Sequence, residues 1–235
     1  MTNYIAFIVA ILGLQPAPSP KYVKPVNYGA NLSQAYVKPV DIDHHKTKWV
    51  QVGEDLPEHP TYDEIRFEAL HSCKNNKEPS DATIKLVDQL ITIEKKHKVP
   101  ASLRGMLLAA ACTESGFNPK AKGDYRKSKK TGQLKPKAIG LMQQWPWVKR
   151  FYKIDRTNPL QAADAWMRHV VRQLKSVKKE CGFRTEKRRW VAAWVKSIRA
   201  PKKKGNRCGE RPTHYRLLKK WHRVVMQDRR EEFGC

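Results

Sequence analysis

A single glutamate, Glu114, stands at the end of the apolar run Gly105-Met-Leu-Leu-Ala-Ala-Ala-Cys112-Thr113 and is followed by Ser115-Gly116-Phe117-Asn118-Pro119. The run has helix-forming composition, and glycine is the residue type that most often ends a helix. A carboxylic acid in the last turn of such a helix feels two influences of one sign. Apolar surroundings favour the protonated acid, and so does the partial negative charge at a helix C-terminus. The protonated acid is the form that a general-acid catalyst must have. Glu114 is therefore the candidate catalytic residue.

The elements that must position it can be read from apolar spacing and caps. Asp63 to Cys73 suits a short helix. Ser80 can cap a second helix to about Lys98, with Ile84, Val87, Leu90, Ile91 and Ile93 on its apolar stripe. Val99-Pro100 breaks it, and Ser102 is expected to cap the helix that carries Glu114. Residues 120–137 are basic and lack apolar periodicity, which reads as a mobile loop. Asn158-Pro159 opens a helix to about Lys179, whose one face holds Leu160, Ala163, Trp166, Met167, Val170, Val171 and Leu174. Another helix is expected over Glu186 to Ile198, then a basic loop, then a helix from a Thr213 cap to about Arg230. Strand signals are scarce, so the fold class is mainly α.

A second segment, Ala138-Ile139-Gly140-Leu141-Met142-Gln143, follows the first. The two in this order resemble the lytic transglycosylase family, whose soluble transglycosylase domain has a goose-type-lysozyme-like fold. The resemblance spans roughly 80–225. It implies a lysozyme-like helical domain that cleaves peptidoglycan glycan strands with no cofactor and no metal. The bond would be the β-1,4 link between N-acetylmuramic acid and N-acetylglucosamine, with Glu114 as the only acid/base. Glu114 would protonate the leaving oxygen while the N-acetyl group assists at the anomeric carbon. The ionised Glu114 would then take the proton of the same sugar's C6 hydroxyl, which attacks to close a 1,6-anhydro ring. The family's third element, an Ala-Ala-Tyr-Asn-Ala-Gly helix, departs here to Val191-Ala192-Ala193-Trp194-Val195-Lys196-Ser197. Trp194 can offer an aromatic sugar-facing surface in place of the tyrosine, without its hydroxyl, and Val195 cannot replace the asparagine's hydrogen bonds.

The substrate-binding candidates are thus Ser115, Gly140, Met142, Gln143 and Trp194. Each has a plainer reading: Ser115 as a turn hydroxyl, Met142 as core, Trp194 as a core ring. At Gly140 the missing side chain would let a ligand approach the backbone. Trp145, Trp147 and Trp166 read as packing anchors, and His214 as a structural or capping residue beside a basic helix. His44-His45 is a poor metal pair, because adjacent side chains on an extended arm diverge. Asp124, in the basic insertion, is the alternative second acid. If it activated water, the protein would be a hydrolytic muramidase.

Of 47 Lys+Arg against 22 Asp+Glu, residues 1–100 hold 12 and 12, so the whole net charge of +25 lies after residue 100. Such a field concentrates anionic polymers non-specifically and suits an anionic cell wall or, in a phage lysis enzyme, an anionic outer surface. It also supports the competing class, a basic nucleic-acid-binding protein without catalysis. No zinc finger, RNA-recognition signature or clear helix-turn-helix accompanies it. Residues 4–14 are uncharged and apolar, shorter than the roughly 20 residues of a bilayer span, and match a secretory signal core or a retained anchor. The expected organisation is a signal-like or anchor segment at 1–20, an extended proline-rich arm at 21–60 and a transglycosylase-like domain at 61–235. The arm carries Tyr22-Val-Lys-Pro-Val26 again as Tyr36-Val-Lys-Pro-Val40. The expected location is the periplasm or the cell exterior. Five cysteines without Cys-x-x-Cys spacing then allow two bridges. Cys73–Cys112 and Cys181–Cys208 are the preferred pairs, since each would tie a flanking segment to a helix, and Cys235 is the spare.

Overall fold

The computed structural model describes residues 57–73, 78–128, 130–198 and 208–233. The leader, the repeat, His44-His45 and Cys235 lie outside the described residues. The elements run α1 (Tyr62–Ser72), α2 (Asp81–Lys96), a short 3-10 turn (Ala101–Leu103), α3 (Met106–Ser115), β1 (Lys122–Lys127), β2 (Leu134–Ile139), α4 (Pro146–Tyr152), α5 (Pro159–Cys181), α6 (Glu186–Ile198) and α7 (Thr213–Phe233). The chain is mostly helical, as the sequence implies.

Helix α3 organises the core. Met106, Leu107, Leu108, Ala109, Ala110 and Ala111 are all buried, so this helix is apolar all round. α2 and α7 pack against it, α1 packs on both of them, and α5 joins α2 to α6. A helix whose first turns are buried on every side cannot leave its first N–H groups to water. Those groups are met by a carboxylate from another helix: Glu94 of α2 accepts from the N–H of Gly105 and of Leu107, both at 2.7 Å. Ser102, the expected cap, lies instead in the preceding 3-10 turn. Two other expected caps hold: the Ser80 side chain accepts from Thr83 N–H, and Asn158 accepts from the N–H of Leu160 and Gln161. Thr213, expected to cap the last helix, is instead the first residue of α7.

α7 is fastened to α1 by ions as well as by packing. Arg229 is buried, pairs bidentately with Glu64 and donates to the Pro57 carbonyl at 2.7 Å. Arg104 donates to the Pro60 carbonyl at 2.9 Å, so residues 57–60 belong with the helices rather than with the arm. Both expected disulfides are present, Cys73–Cys112 between the ends of α1 and α3 and Cys181–Cys208 at the end of α5.

Residues 120–137 correct the expectation of a loop. They contain an antiparallel hairpin in which Lys122 pairs with Ile139 and Lys127 with Leu134. β1 is exposed along nearly its whole length, so it carries no inward-outward alternation for a sequence reading to detect. Backbone ladder bonds, not burial, define it.

Candidate active site

Each residue of Glu114-Ser-Gly-Phe-Asn-Pro119 has a separate local task. Gly116 adopts φ 59°, and its N–H closes the last turn on the Cys112 carbonyl at 2.8 Å. Phe117 also has positive φ, 62°, a costly conformation for a bulky residue, and it is held there by burial in the core. The Asn118 side chain accepts from Lys120 N–H at 2.9 Å, which turns the chain into β1. Glu114 is left at the helix tip with its side chain 30% exposed. Its Oε1 lies 2.8 Å from Nε2 of His214, at the start of α7 and 100 residues further along the chain.

The second segment returns to the first through the hairpin. Gly140 N–H donates to the Ala121 carbonyl at 2.9 Å, and Ile139 is paired with both Lys122 and Gln144. Gly140 has φ 78°, and a Cβ there would collide with the Arg156 carbonyl oxygen. The close approach that this glycine permits is thus one of protein backbone, not of ligand. The Arg156 guanidinium then donates to the carbonyls of Lys137 and Gln144, at 3.0 and 2.6 Å. Gln143 has φ 43° and donates to the Gly140 carbonyl at 2.9 Å, and Gln144 donates to the Ala162 carbonyl of α5. Leu141 and Met142 enter the core.

Several expected roles change. Trp194 is fully buried, edge-on to Trp166 at 6.0 Å and parallel to the His214 ring at 5.9 Å. It is a core ring and presents no surface to a sugar. Met142, 4% exposed, is core too. Ser115 donates to the Ala111 carbonyl at 3.1 Å, within its own helix. Trp145 and Trp147 are exposed, unlike the packing anchors expected there, whereas Trp166 is buried. Asp124, exposed on the hairpin with φ 48°, accepts from the Trp145 indole N–H at 2.9 Å.

Sequence reading missed His214 as Glu114's partner. An isolated histidine on a basic helix carries no periodic or motif signal, and only tertiary packing brings it to α3. Its ring is 6% exposed, and Nδ1 is buried with no hydrogen-bond partner among the described residues. No cluster of three or more His, Cys, Asp or Glu that could hold a metal ion occurs among the described residues.

The sequence model of the Transglycosylase SLT domain family matches residues 91–192. That stretch of the chain is similar to a transglycosylase SLT domain. No curated protein and no solved structure matches it significantly. The matched span runs from α2 into α6 and contains Glu114 and both motif segments. α7, and with it His214, lies beyond the SLT match.

Proposed function

We propose that the protein cleaves the β-1,4 bond between N-acetylmuramic acid and N-acetylglucosamine by a non-hydrolytic route, with Glu114 as its one acid/base. The observation that carries this reading is Glu114's placement: a carboxyl left partly exposed at the tip of a largely buried helix and hydrogen-bonded to the side chain of His214. Its neighbouring motif segments are fixed around it by the hairpin and by Arg156.

In the first step the Glu114 acid gives its proton to the glycosidic oxygen as the bond to the anomeric carbon breaks. The substrate's N-acetyl oxygen stabilises the developing positive charge. In the second, the ionised Glu114 removes the proton of the C6 hydroxyl while its oxygen bonds to the anomeric carbon, displacing the acetamido group. The carboxyl returns to its starting state, and no water is consumed. The alternative, hydrolysis with Asp124 activating water, is disfavoured by Asp124's engagement with the Trp145 N–H on the exposed hairpin. The two disulfides support action outside the cytoplasm, in an oxidising compartment. The excess of basic residues after residue 100 supports attraction to the anionic polymers of a cell envelope.

Purified protein should clear a peptidoglycan suspension. Glu114→Gln should fold normally and lose at least about 1,000-fold in rate, since it removes the proposed proton donor. An active Glu114→Gln protein would refute the assignment. Mass spectrometry of released fragments decides the chemistry: anhydro ends are expected, and reducing ends would mean hydrolysis. Asp124→Asn should keep its activity.

A further inference from the structure

The hydrogen bond between His214 and Glu114 admits two arrangements of protons, and the rest of the ring's surroundings distinguish them. In one, Nε2 carries a hydrogen and donates to Oε1, leaving Nδ1 bare. In the other, Glu114 donates from Oε1 to a bare Nε2, and Nδ1 carries the hydrogen. The second would bury an N–H with no acceptor among the described residues, because Nδ1 is sealed and unpartnered. Orphaned buried N–H groups are rarer in proteins than under-satisfied acceptors. A doubly protonated ring would add a buried charge to the same unpaired N–H, at still greater cost. The surroundings therefore select the neutral ring with its hydrogen on Nε2.

That selection divides the two oxygens of the carboxyl group. We propose that His214 is the positioning residue for Glu114: its Nε2–H holds Oε1 throughout the reaction, so that Oε2 alone carries the exchangeable proton. This rests on Glu114 being the acid/base. The Oε2 proton goes to the glycosidic oxygen in the first step, and the C6-hydroxyl proton replaces it in the second. Oε1 accepts from the same N–H in both states, so the carboxyl need not rotate between donating and accepting. The ring itself is held by Trp194, parallel to it and fully buried, which is edge-on in turn to Trp166 and Tyr215. This gives the core tryptophan a place in the chemistry that a sugar-facing position would not. His214 and Trp194 both fall outside the 91–192 match, so the device belongs to this chain's own last helices rather than to the matched segment.

The test uses the full-length protein and two substitutions of opposite chemistry. His214→Phe keeps a flat ring against Trp194 but removes the donor. His214→Gln is long enough to return an amide N–H to the Nε2 position. On soluble glycan strands, His214→Phe should lower kcat by about 10- to 100-fold with KM within about twofold, the signature of a misaimed group rather than lost binding. His214→Gln should recover most of that loss. Full activity in His214→Phe, or no recovery in His214→Gln at matched melting temperature, would overturn the proposal. Nitrogen-15 NMR of the unsubstituted protein tests it without any variant: hydrogen on Nε2 and a bare Nδ1 are expected, and hydrogen on Nδ1 would refute it. Glu114→Gln separates the two readings. If Glu114→Gln is inactive while His214→Phe is fully active, only the role of His214 fails. If Glu114→Gln is active, the acid/base assignment fails first.

Discussion

Gly116 and Gly140 both hold a positive φ, yet a methyl group would meet different surroundings at each. At Gly116 nothing lies within 4 Å of where a Cβ would sit, so only the left-handed backbone resists substitution. Gly116→Ala should cost about 1 kcal/mol. At Gly140 the same backbone preference is joined by collision with the Arg156 carbonyl, a backbone atom held near the clamp on Lys137 and Gln144. Gly140→Ala should therefore destabilise by more than about 2 kcal/mol. Urea titration of the two variants measures the difference. Both glycines were legible as motif positions, but their reasons were not. One ends a helix, while the other lets two stretches of backbone touch. Trp194 teaches the same lesson in reverse. Its place in the pattern suggested a sugar-facing ring, and its burial depends on partners from α5 and α7 that no local spacing announces.

Among the elements, α3 depends most on a residue outside itself. Glu94 is fully buried, and burial pushes its carboxyl up to about 7, opposed by the N–H groups of Leu107 and Gly105. The folded value is raised above the ordinary 4.5 of a glutamate, so this group's contribution to stability is whole below about pH 4.5 and declines as pH rises through about 7. The decline should not exceed roughly 3 kcal/mol. Thermal melts between pH 4.5 and pH 7.5 should show it, and Glu94→Gln should flatten the slope. That variant should also be less stable at every pH, because an amide NH2 would face one of the two backbone N–H groups. No local spacing announces this cap, since Glu94 lies 11 residues before Gly105 and belongs to a different helix. Helices with an amphipathic stripe and a side-chain cap, such as α2 and α5, were readable almost to the residue. The exposed hairpin and the seven-residue α4 were not, because neither repeats its apolar pattern often enough to be seen.

Across the whole molecule, residues far apart in sequence are bound covalently and by charge. Cys73–Cys112 closes a loop with a sequence separation of 39 and ends two residues before Glu114. Replacing both cysteines by alanine should lower stability by about 4 kcal/mol on the chain-entropy account, read from the shift in urea midpoint. Activity per folded molecule should fall less, because α2 and α7 still flank α3. The pairing of Arg229 with Glu64 joins the C-terminal helix back to the first described one. α7 thus carries both the arginine that anchors it and the histidine that faces Glu114. As the chain is synthesised from its N-terminus, the glutamate emerges a hundred positions before its imidazole neighbour. A nascent or truncated chain that lacks α7 would hold the carboxyl without its histidine partner, and the pairing can form only once α7 has docked on α3.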